Sequence, residues 1–333
     1  MRGTRKLTVL AAGLAASLAV TACAGAPTQS AAPSASTSAS SSDGIYIALV
    51  SKGFQHQFWQ AVKTGAEKRA KELGVKMTFD GPASETEVDL QLNMLQTVLE
   101  KKPNAIGYAA LDPKACVPLL DQAKAANIPV VMFDAKCDGD VGLTLAATDG
   151  KAAAALAADK MAGMINSTGK IAIVGHSQIN QTGIDRVDGF VDQMKAKYPN
   201  IEIVDIQYGD GDHLKSADIA KAIIAANSDL VGIYATNEGS AIGTVNAATE
   251  LKLDPGKIKI IGFDSGKAQI DAIKSGLMAG AITQNPIGIG EATVQAAMDA
   301  IDGKPLEKFI DTGFFYYDKT NMDDPKIAAV LYQ

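Results

Sequence analysis

The sequence predicts an α/β fold made of two similar lobes, each a doubly wound parallel sheet. From Gly44 onward, short β-rich apolar runs alternate with longer amphipathic helical stretches. This alternation is typical of parallel sheets covered by helices on both faces. The pattern also occurs twice, and a single sheet holding every strand would exceed the usual number of strands, so two lobes are predicted.

Nine strands are predicted in chain order, at residues 45–50, 75–79, 105–108, 129–133, 170–174, 201–207, 230–235, 258–263 and 279–283. Amphipathic helices lie between most of them, at residues 57–73, 88–101, 150–165, 183–198, 214–226 and 290–301. Each half begins with an apolar strand, a polar loop and a helix. The first half starts at residues 45–50 and the second at residues 171–175, which indicates where each lobe begins.

The first 22 residues predict an export signal. Residues 2–6 contain three basic side chains, and residues 7–20 form an apolar run that is shorter than the roughly 20 residues a bilayer requires. Residues 18–23 are similar to a bacterial lipobox, which implies cleavage before Cys23 and a lipid on that cysteine. An ordinary secretory signal followed by a chance cysteine is the less favoured alternative.

Residues 23–43 predict a flexible tether. They are almost wholly Ala, Ser, Thr, Pro and Gln after the cysteine, and such a segment buries too little apolar surface to offset the entropy of ordering it. The protein is therefore predicted to be lipid-anchored at the cell membrane, facing outside the cytoplasm. The predicted N-terminal lobe comprises residues 44–147 plus 285–311, and the predicted C-terminal lobe comprises residues 148–284 plus 312–333.

Charge and motifs exclude several classes of protein. The net charge is −6, so nucleic acid is not an expected partner. The three histidines are far apart in the sequence and lack metal-ligand spacing. The sequence contains no phosphate-binding loop, dinucleotide fingerprint or nucleophile elbow. We therefore expect no catalytic residue, no metal and no cofactor.

Cys116 and Cys137 form an even pair in a compartment that permits disulfides. Both are predicted at the same carboxyl edge of one sheet, so a disulfide is geometrically reasonable and would add roughly 3 kcal/mol. It would hold the loop that contains Asp134 and Lys136. Two reduced, buried thiols remain the alternative.

Polar and aromatic side chains gather in the loops that follow the predicted strands. Parallel α/β sheets place binding sites at the carboxyl ends of their strands. These loops contain residues 51–59, Asp112, residues 134–136, Arg186, and residues 237–238, 263–264 and 284–285. Aromatic faces cover the apolar C–H faces of a pyranose or furanose, while Asp, Asn, Arg and Gln pair with its hydroxyls. The loops therefore predict a sugar site.

Four motifs then carry a family resemblance: Ile-Gly-Phe-Asp at 261–264, Ala-Thr-Asn-Glu at 235–238, Arg-Val-Asp-Gly-Phe at 186–190, and Asn-Ile-Pro-Val at 127–130 leading to Asp134. In this order and spacing, the chain from about residue 45 to 315 resembles the sugar-binding proteins of bacterial ABC importers, in the ribose-binding and lac-repressor-like group. The resemblance implies the type I periplasmic-binding fold. Its lobes would be joined by three hinge crossovers near residues 147–149, 283–285 and 311–313.

The resemblance implies a role for seven residues: stacking by Phe58 and Trp59, and hydroxyl contacts from Asp134, Arg186, Asn237, Asp264 and Gln284. Lys52 and His56 are further candidates. The sequence leaves open whether each side chain lines the cleft or faces solvent. Several structural alternatives also stand. One of the two aromatic rings is expected to pack inward, Asn237 is also a candidate helix cap, and Arg186 has nearby acidic residues for a surface contact.

The resemblance further implies a monomeric solute-binding lipoprotein that captures a monosaccharide, either a pentose or a hexose, or a related polyol and delivers it to the membrane permease of an ABC importer. A receptor that reports a sugar or a signalling furanose to a membrane signalling partner is the alternative. A repressor would need a DNA-binding headpiece where this chain has an export signal. A glycosidase using Asp134 and Asp264 as an acid/base pair is less favoured, because the resemblance implies binding without turnover.

Overall fold

A computed structural model describes residues 44–332 of the chain. The strands are β1 (Tyr46–Val50), β2 (Lys76–Asp80), β3 (Ala105–Tyr108), β4 (Val130–Phe133), β5 (Leu145–Ala147), β6 (Gly169–Gly175), β7 (Ile201–Tyr208), β8 (Leu230–Ala235), β9 (Lys259–Phe263), β10 (Gly280–Gln284), β11 (Phe309–Asp311) and β12 (Phe314–Tyr317). The helices are α1 (Gln57–Leu73), α2 (Val88–Glu100), α3 (Val117–Ala125), α4 (Gly150–Met164), α5 (Gln181–Lys197), α6 (His213–Ala226), α7 (Glu238–Glu250), α8 (Lys267–Ser275), α9 (Pro286–Ile301) and α10 (Pro325–Ala328). The predicted signal, the tether and Cys23 lie outside the described residues.

The strands form two six-stranded sheets, one in each lobe. The first sheet has the order β11-β5-β4-β3-β1-β2, and the second has the order β12-β10-β9-β8-β6-β7. Central strands such as β3 and β4 are buried along their whole length, because helices cover both faces of a parallel sheet. The predicted fold class, two α/β lobes with parallel sheets, is confirmed, and all nine predicted strands are present.

The short strands β5, β11 and β12 are not among the predicted ones. Each has only three or four residues, and β12 runs antiparallel to β10, which corrects the expectation of purely parallel sheets. Such short strands depend on tertiary pairing more than on their own sequence. Their apolar periodicity is therefore too brief to predict them.

The chain crosses between the lobes three times. It passes from β5 into α4, returns from β10 into α9, and crosses again between β11 and β12. Helix α9 packs along α1 of the first lobe, which explains why the chain returns there. The crossings occur at the positions that the resemblance implies for the hinges.

The C-terminal segment is shared between the lobes. Ile327 and Met322 pack in a core of the second lobe, whereas Tyr332 packs in a core of the first. The Tyr332 ring contacts Phe58 with centroids 6.3 Å apart, and its hydroxyl accepts a hydrogen bond from the Ser265 N–H at 3.1 Å. The predicted limits of the lobes stay a prediction, and Tyr332 is a residue to which both lobes contribute contacts.

Cys116 and Cys137 form a disulfide in the structure, with Cα atoms 6.1 Å apart. Cys116 is the N-cap residue of α3, and Cys137 lies three residues after Asp134. The bond therefore ties the loop that contains Asp134 to the neighbouring helix. Within residues 44–332, no helix is long and apolar enough to cross a membrane.

Candidate functional site

A small cavity lies between the carboxyl ends of the two sheets. Its walls come from both lobes and comprise Lys52, His56, Phe58, Trp59, Glu85, Asp134, His176, Arg186, Asn237, Asp264 and Gln284. All nine candidate residues from the sequence lie around this one cavity. Glu85 and His176 are the two that the sequence analysis missed.

Two Phe-Asp turns occupy corresponding places in the two lobes. Asp134 directly follows β4, and Asp264 directly follows β9. Both have left-handed backbones, with φ values of 59° and 80°, a conformation that costs a residue other than glycine about 1–3 kcal/mol and that clusters at functional sites. Each N–H donates to the neighbouring strand, to the Ala146 carbonyl at 3.0 Å and the Ile282 carbonyl at 2.6 Å. The strained turns aim both carboxylates into the cavity.

In the first lobe, Asp134 is paired with Lys52. The Lys52 Nζ lies 2.8 Å from the Asp134 Oδ2, and the two side chains are only 3% and 2% exposed. Burial raises the pKa of Asp134, and Lys52 and Arg186 oppose this rise. Lys52 also lies 5.6 Å from the centroid of Trp59 and donates to the Thr182 Oγ1 of the second lobe at 3.0 Å. Lys52 is thus part of the cleft wall.

In the second lobe, Asp264 accepts from the Gln284 amide at 2.7 Å and lies 3.9 Å from the Arg186 guanidinium. Arg186 is buried, so the surface alternative for it does not hold. Its guanidinium stacks 3.7 Å from the Phe263 centroid and donates to the Thr236 carbonyl at 2.9 Å. Its Nε has no hydrogen-bond partner among the described residues, so one buried donor is available to a ligand.

Phe58 and Trp59 form the aromatic wall. Their rings meet edge to face with centroids 4.9 Å apart. Both belong to the first-lobe core and both also line the cavity, so the expected split into one inward and one cleft-facing ring is not observed. The Trp59 Nε1 donates to Glu85 at 2.7 Å, which fixes the orientation of the indole.

Glu85 and His176 complete the polar lining. Burial alone would raise the pKa of Glu85, but Lys52, His56 and Trp59 hold it below the usual value, so Glu85 is an anion. Burial lowers the pKa of His176 far below the usual value, and its ring contacts the Thr236 hydroxyl at 2.8 Å. His176 directly follows β6, a signal that could have identified it. Glu85 lies five residues beyond β2, too far for the same rule.

His56 and Asn237 meet across the cleft. The Asn237 Oδ1 accepts from the Ser240 N–H at 2.8 Å and so caps α7, while its amide nitrogen lies 3.4 Å from the His56 Nε2. Burial lowers the pKa of His56, so the ring is neutral at pH 7. Because the amide donates, the His56 Nε2 accepts and Nδ1 carries the proton. That Nδ1 has no partner among the described residues.

The cavity therefore combines two aromatic rings with buried donors and acceptors. Each of its two cations lies beside a carboxylate, and two buried donors of lining residues, the Arg186 Nε and the His56 Nδ1, have no partner among the described residues. No cluster of three or more metal-ligating side chains occurs among residues 44–332. Such a lining suits a small, uncharged molecule with many hydroxyl groups.

Comparison with known proteins adds findings of three kinds: a family model, a relative and solved structures. Residues 47–305 match the family model described as periplasmic binding protein domain. The D-allose-binding periplasmic protein of Escherichia coli K12 is 27% identical over 281 residues, which cover 80% of this chain and 90% of that protein. A carbohydrate transporter solute binding protein from Agrobacterium radiobacter, solved in complex with D-arabinose, is 33% identical with a TM-score of 0.83, covering 86% of this chain and 99% of that one.

A second solved structure is equally similar in fold. An ABC transporter solute binding protein from Agrobacterium vitis, with bound D-fucose, is 34% identical with a TM-score of 0.83. The alignment covers 86% of this chain and all of that one, 100%. These relatives are named as binding proteins.

Proposed function

Because the chain belongs to the periplasmic binding protein domain family, we propose that it is the extracytoplasmic solute-binding component of an ABC importer. It captures a neutral monosaccharide, a pentose or hexose, or a related polyol between its lobes and delivers it to the permease. One observation carries the proposal: polar and aromatic side chains of both lobes converge on a single buried cavity.

The lining of the cavity supports a single-ring ligand. Phe58 and Trp59 offer apolar faces for the C–H groups of one ring. The N–H groups at the Arg186 Nε and the His56 Nδ1 would donate hydrogen bonds to hydroxyl oxygens of the ligand.

The charges support a neutral ligand. Lys52 is paired with Asp134, and Arg186 lies beside Asp264, while Glu85 adds a further negative charge. A sugar phosphate or sugar acid would bring an anion to a site whose cations already have partners. Burying it there would cost more than burying an alcohol.

We also propose that the protein is a monomer held at the cell membrane by a lipid on Cys23, and that it binds its ligand without turnover. The anchor is tested by expressing Cys23→Ser in the full chain. We expect the variant in the soluble extracytoplasmic fraction and the parent in the membrane fraction. Recovery of both chains in the soluble fraction would contradict the anchor.

A thermal-shift screen of the chain from Gly44 onward tests the ligand class. D-Arabinose, D-fucose, D-allose and their epimers serve as probes, with the corresponding sugar acids and sugar phosphates as controls. A ligand at 100 times its Kd adds about 2.7 kcal/mol of stability, which raises the melting temperature by several degrees. A shift with one neutral sugar supports the proposal, and shifts confined to the charged controls would contradict it.

A further inference from the structure

At the first turn of α1, backbone N–H groups of the first lobe contact a side chain of the second lobe beside the cavity. The first N–H groups of any helix have no intrahelical partner. In α1, the N-cap residue His56 makes no side-chain cap, and the first turn contains no acidic residue. The helix therefore does not satisfy these donors with its own residues.

Glu238 of the second lobe satisfies them instead. The Gln57 N–H donates to the Glu238 Oε1 at 3.1 Å, and the Phe58 N–H donates to the Glu238 Oε2 at 3.2 Å. Glu238 is the first residue of α7 and is only 3% exposed. One carboxylate thus accepts two hydrogen bonds from a helix that belongs to the opposite lobe.

Neighbouring contacts hold this arrangement in place. The Glu238 N–H donates to the Asp264 Oδ2 at 3.0 Å, which links it to the cavity. The Lys267 N–H of the second lobe donates to the Gln57 Oε1 at 2.7 Å. A Cβ added to Gly266 would lie 2.8 Å from the Glu238 Oε1, so the second-lobe backbone packs tightly against the carboxylate.

We propose that Glu238 is an interlobe latch, which caps α1 across the cleft and so stabilises the closed form. This inference rests on the proposed function, because it presumes that the lobes open and close. When the lobes separate, the N–H groups of Gln57 and Phe58 lose their acceptor. Phe58 lines the cavity with its ring and contacts the latch with its backbone, so the latch also positions the aromatic wall.

The expected effect follows from the closing equilibrium. Removal of a helix cap changes an equilibrium by roughly 2- to 30-fold. Ligand affinity falls with the fraction of molecules in the binding-competent state. For Glu238→Ala we therefore expect an affinity about tenfold weaker than that of the parent, with most of the change in the dissociation rate.

Three variants of the chain from Gly44 onward test the latch. Glu238→Ala removes both acceptors, while Glu238→Gln retains one amide oxygen and should keep affinity within about threefold of the parent. Glu250→Ala is the matched control, because Glu250 ends the same helix, is 58% exposed and pairs with Lys221 at the surface. D-Arabinose, D-fucose and D-allose are the probes, and small-angle scattering measures closure.

Weaker binding and reduced compaction in Glu238→Ala, with Glu250→Ala unchanged and Glu238→Gln rescuing, support the latch. Equal affinity and equal compaction in Glu238→Ala and the parent would overturn it. If the alanine variant does not fold, the same comparison is made with Glu238→Asp, whose carboxylate is one methylene shorter and so is drawn back from the N–H groups of Gln57 and Phe58. An aspartate variant that matches the parent in dissociation rate and compaction overturns the latch.

Failure of the parent to bind any neutral sugar would count against the proposed function alone. The latch is then judged on the free proteins. A more expanded Glu238→Ala supports it, and identical scattering of the two chains overturns it.

Discussion

The two lobes place a carboxylate at the cavity with the same backbone turn but pair it with different side chains. Each ends a buried strand in a Phe-Asp turn with a left-handed backbone, at Asp134 and at Asp264, and each sets a cation beside the carboxylate. The first lobe uses Lys52 at 2.8 Å, and the second uses Arg186 at 3.9 Å. The backbone is thus shared between the lobes, whereas the hydrogen-bonding pattern presented to the cavity differs.

The two carboxylates also differ in how many donors and cations they contact. Asp264 accepts from Gln284 and from the Glu238 N–H and faces Arg186, which stacks on Phe263. Asp134 has Lys52 as its close partner, and Lys52 also reaches Thr182. We therefore expect the free energy of unfolding to fall more when the second lobe loses its aspartate than when the first lobe does.

Replacing either aspartate by alanine tests this comparison, and Asp264→Ala is expected to change the free energy of unfolding more than any other variant. For Asp264→Ala we expect a loss of about 3–5 kcal/mol in unfolding free energy, because the variant leaves Arg186 and two other donors unpaired. For Asp134→Ala we expect about 1–3 kcal/mol, because Lys52 keeps its contact with Thr182. Urea unfolding of both variants measures the difference.

The asparagine variants of the same two positions control for shape, since they keep one acceptor oxygen. Both should fold, and Asp264→Asn should bind ligand more weakly than Asp134→Asn. Equal losses of ligand affinity in the two asparagine variants would contradict the asymmetry between the lobes.

The disulfide belongs to the first lobe alone and is expected to contribute about 3 kcal/mol for a loop of 21 residues. Replacing Cys116 and Cys137 by serine should lower the unfolding free energy by that amount. Hydrogen exchange should increase around α3 and the Asp134 loop and stay unchanged in the second lobe. Two titratable thiols in the parent protein would show that the bond is not formed.

A third comparison concerns the residues that follow β3 and β8. Asp112 of the first lobe caps its own loop, accepting from the Lys114 and Ala115 N–H groups at 2.8 and 3.0 Å. Glu238 of the second lobe caps a helix of the other lobe. Burial, with Asp264 close by, raises the pKa of Glu238 to about 7 from 4.5, against the two backbone hydrogen bonds. Glu85 raises it further.

Closure is therefore expected to take up a proton at Glu238, if its pKa returns toward the ordinary value when the cleft opens. The favourable contribution to closure is complete below pH 4.5 and is lost as the pH rises through about 7. Affinity should fall roughly tenfold between pH 5.5 and 8. Protonation of His56 and His213, whose pKa values burial lowers, opposes this trend at the acid end.

Glu238→Gln isolates the contribution of the carboxyl group, because the two histidines titrate in both chains. Titration calorimetry across this pH range should give a flatter profile for the variant. Parallel profiles for the parent and Glu238→Gln would show that Glu238 takes no part in the pH dependence.

The smallest effect is expected at the contact between Lys52 and Thr182, which joins the lobes at 3.0 Å. Thr182→Val removes the hydroxyl but keeps the shape of the side chain. The binding free energy should therefore weaken by about 0.5–1.5 kcal/mol, the range for one hydrogen bond. Isothermal titration measures it. A larger loss than that of Asp134→Asn would indicate that Lys52 acts mainly through the second lobe.

Much of the site was predictable because β/α alternation brings successive loops to one edge of a sheet. Asp134, Asp264 and His176 directly follow apolar strands, so their side chains meet at that edge. The rule fails for Glu85, whose position depends on the path of a longer loop after β2. It also fails for β5, β11 and β12, whose pairing depends on neighbours distant in the chain.

The sequence by itself determined the two parallel-sheet lobes and the set of residues at their carboxyl edges. The reason is that apolar periodicity and strand order are local properties of the chain. Only the tertiary structure decided that Glu238 caps α1 and that Lys52 contacts Thr182. These partners lie 181 and 130 residues apart, and only the docking of one lobe on the other brings their atoms within hydrogen-bonding distance.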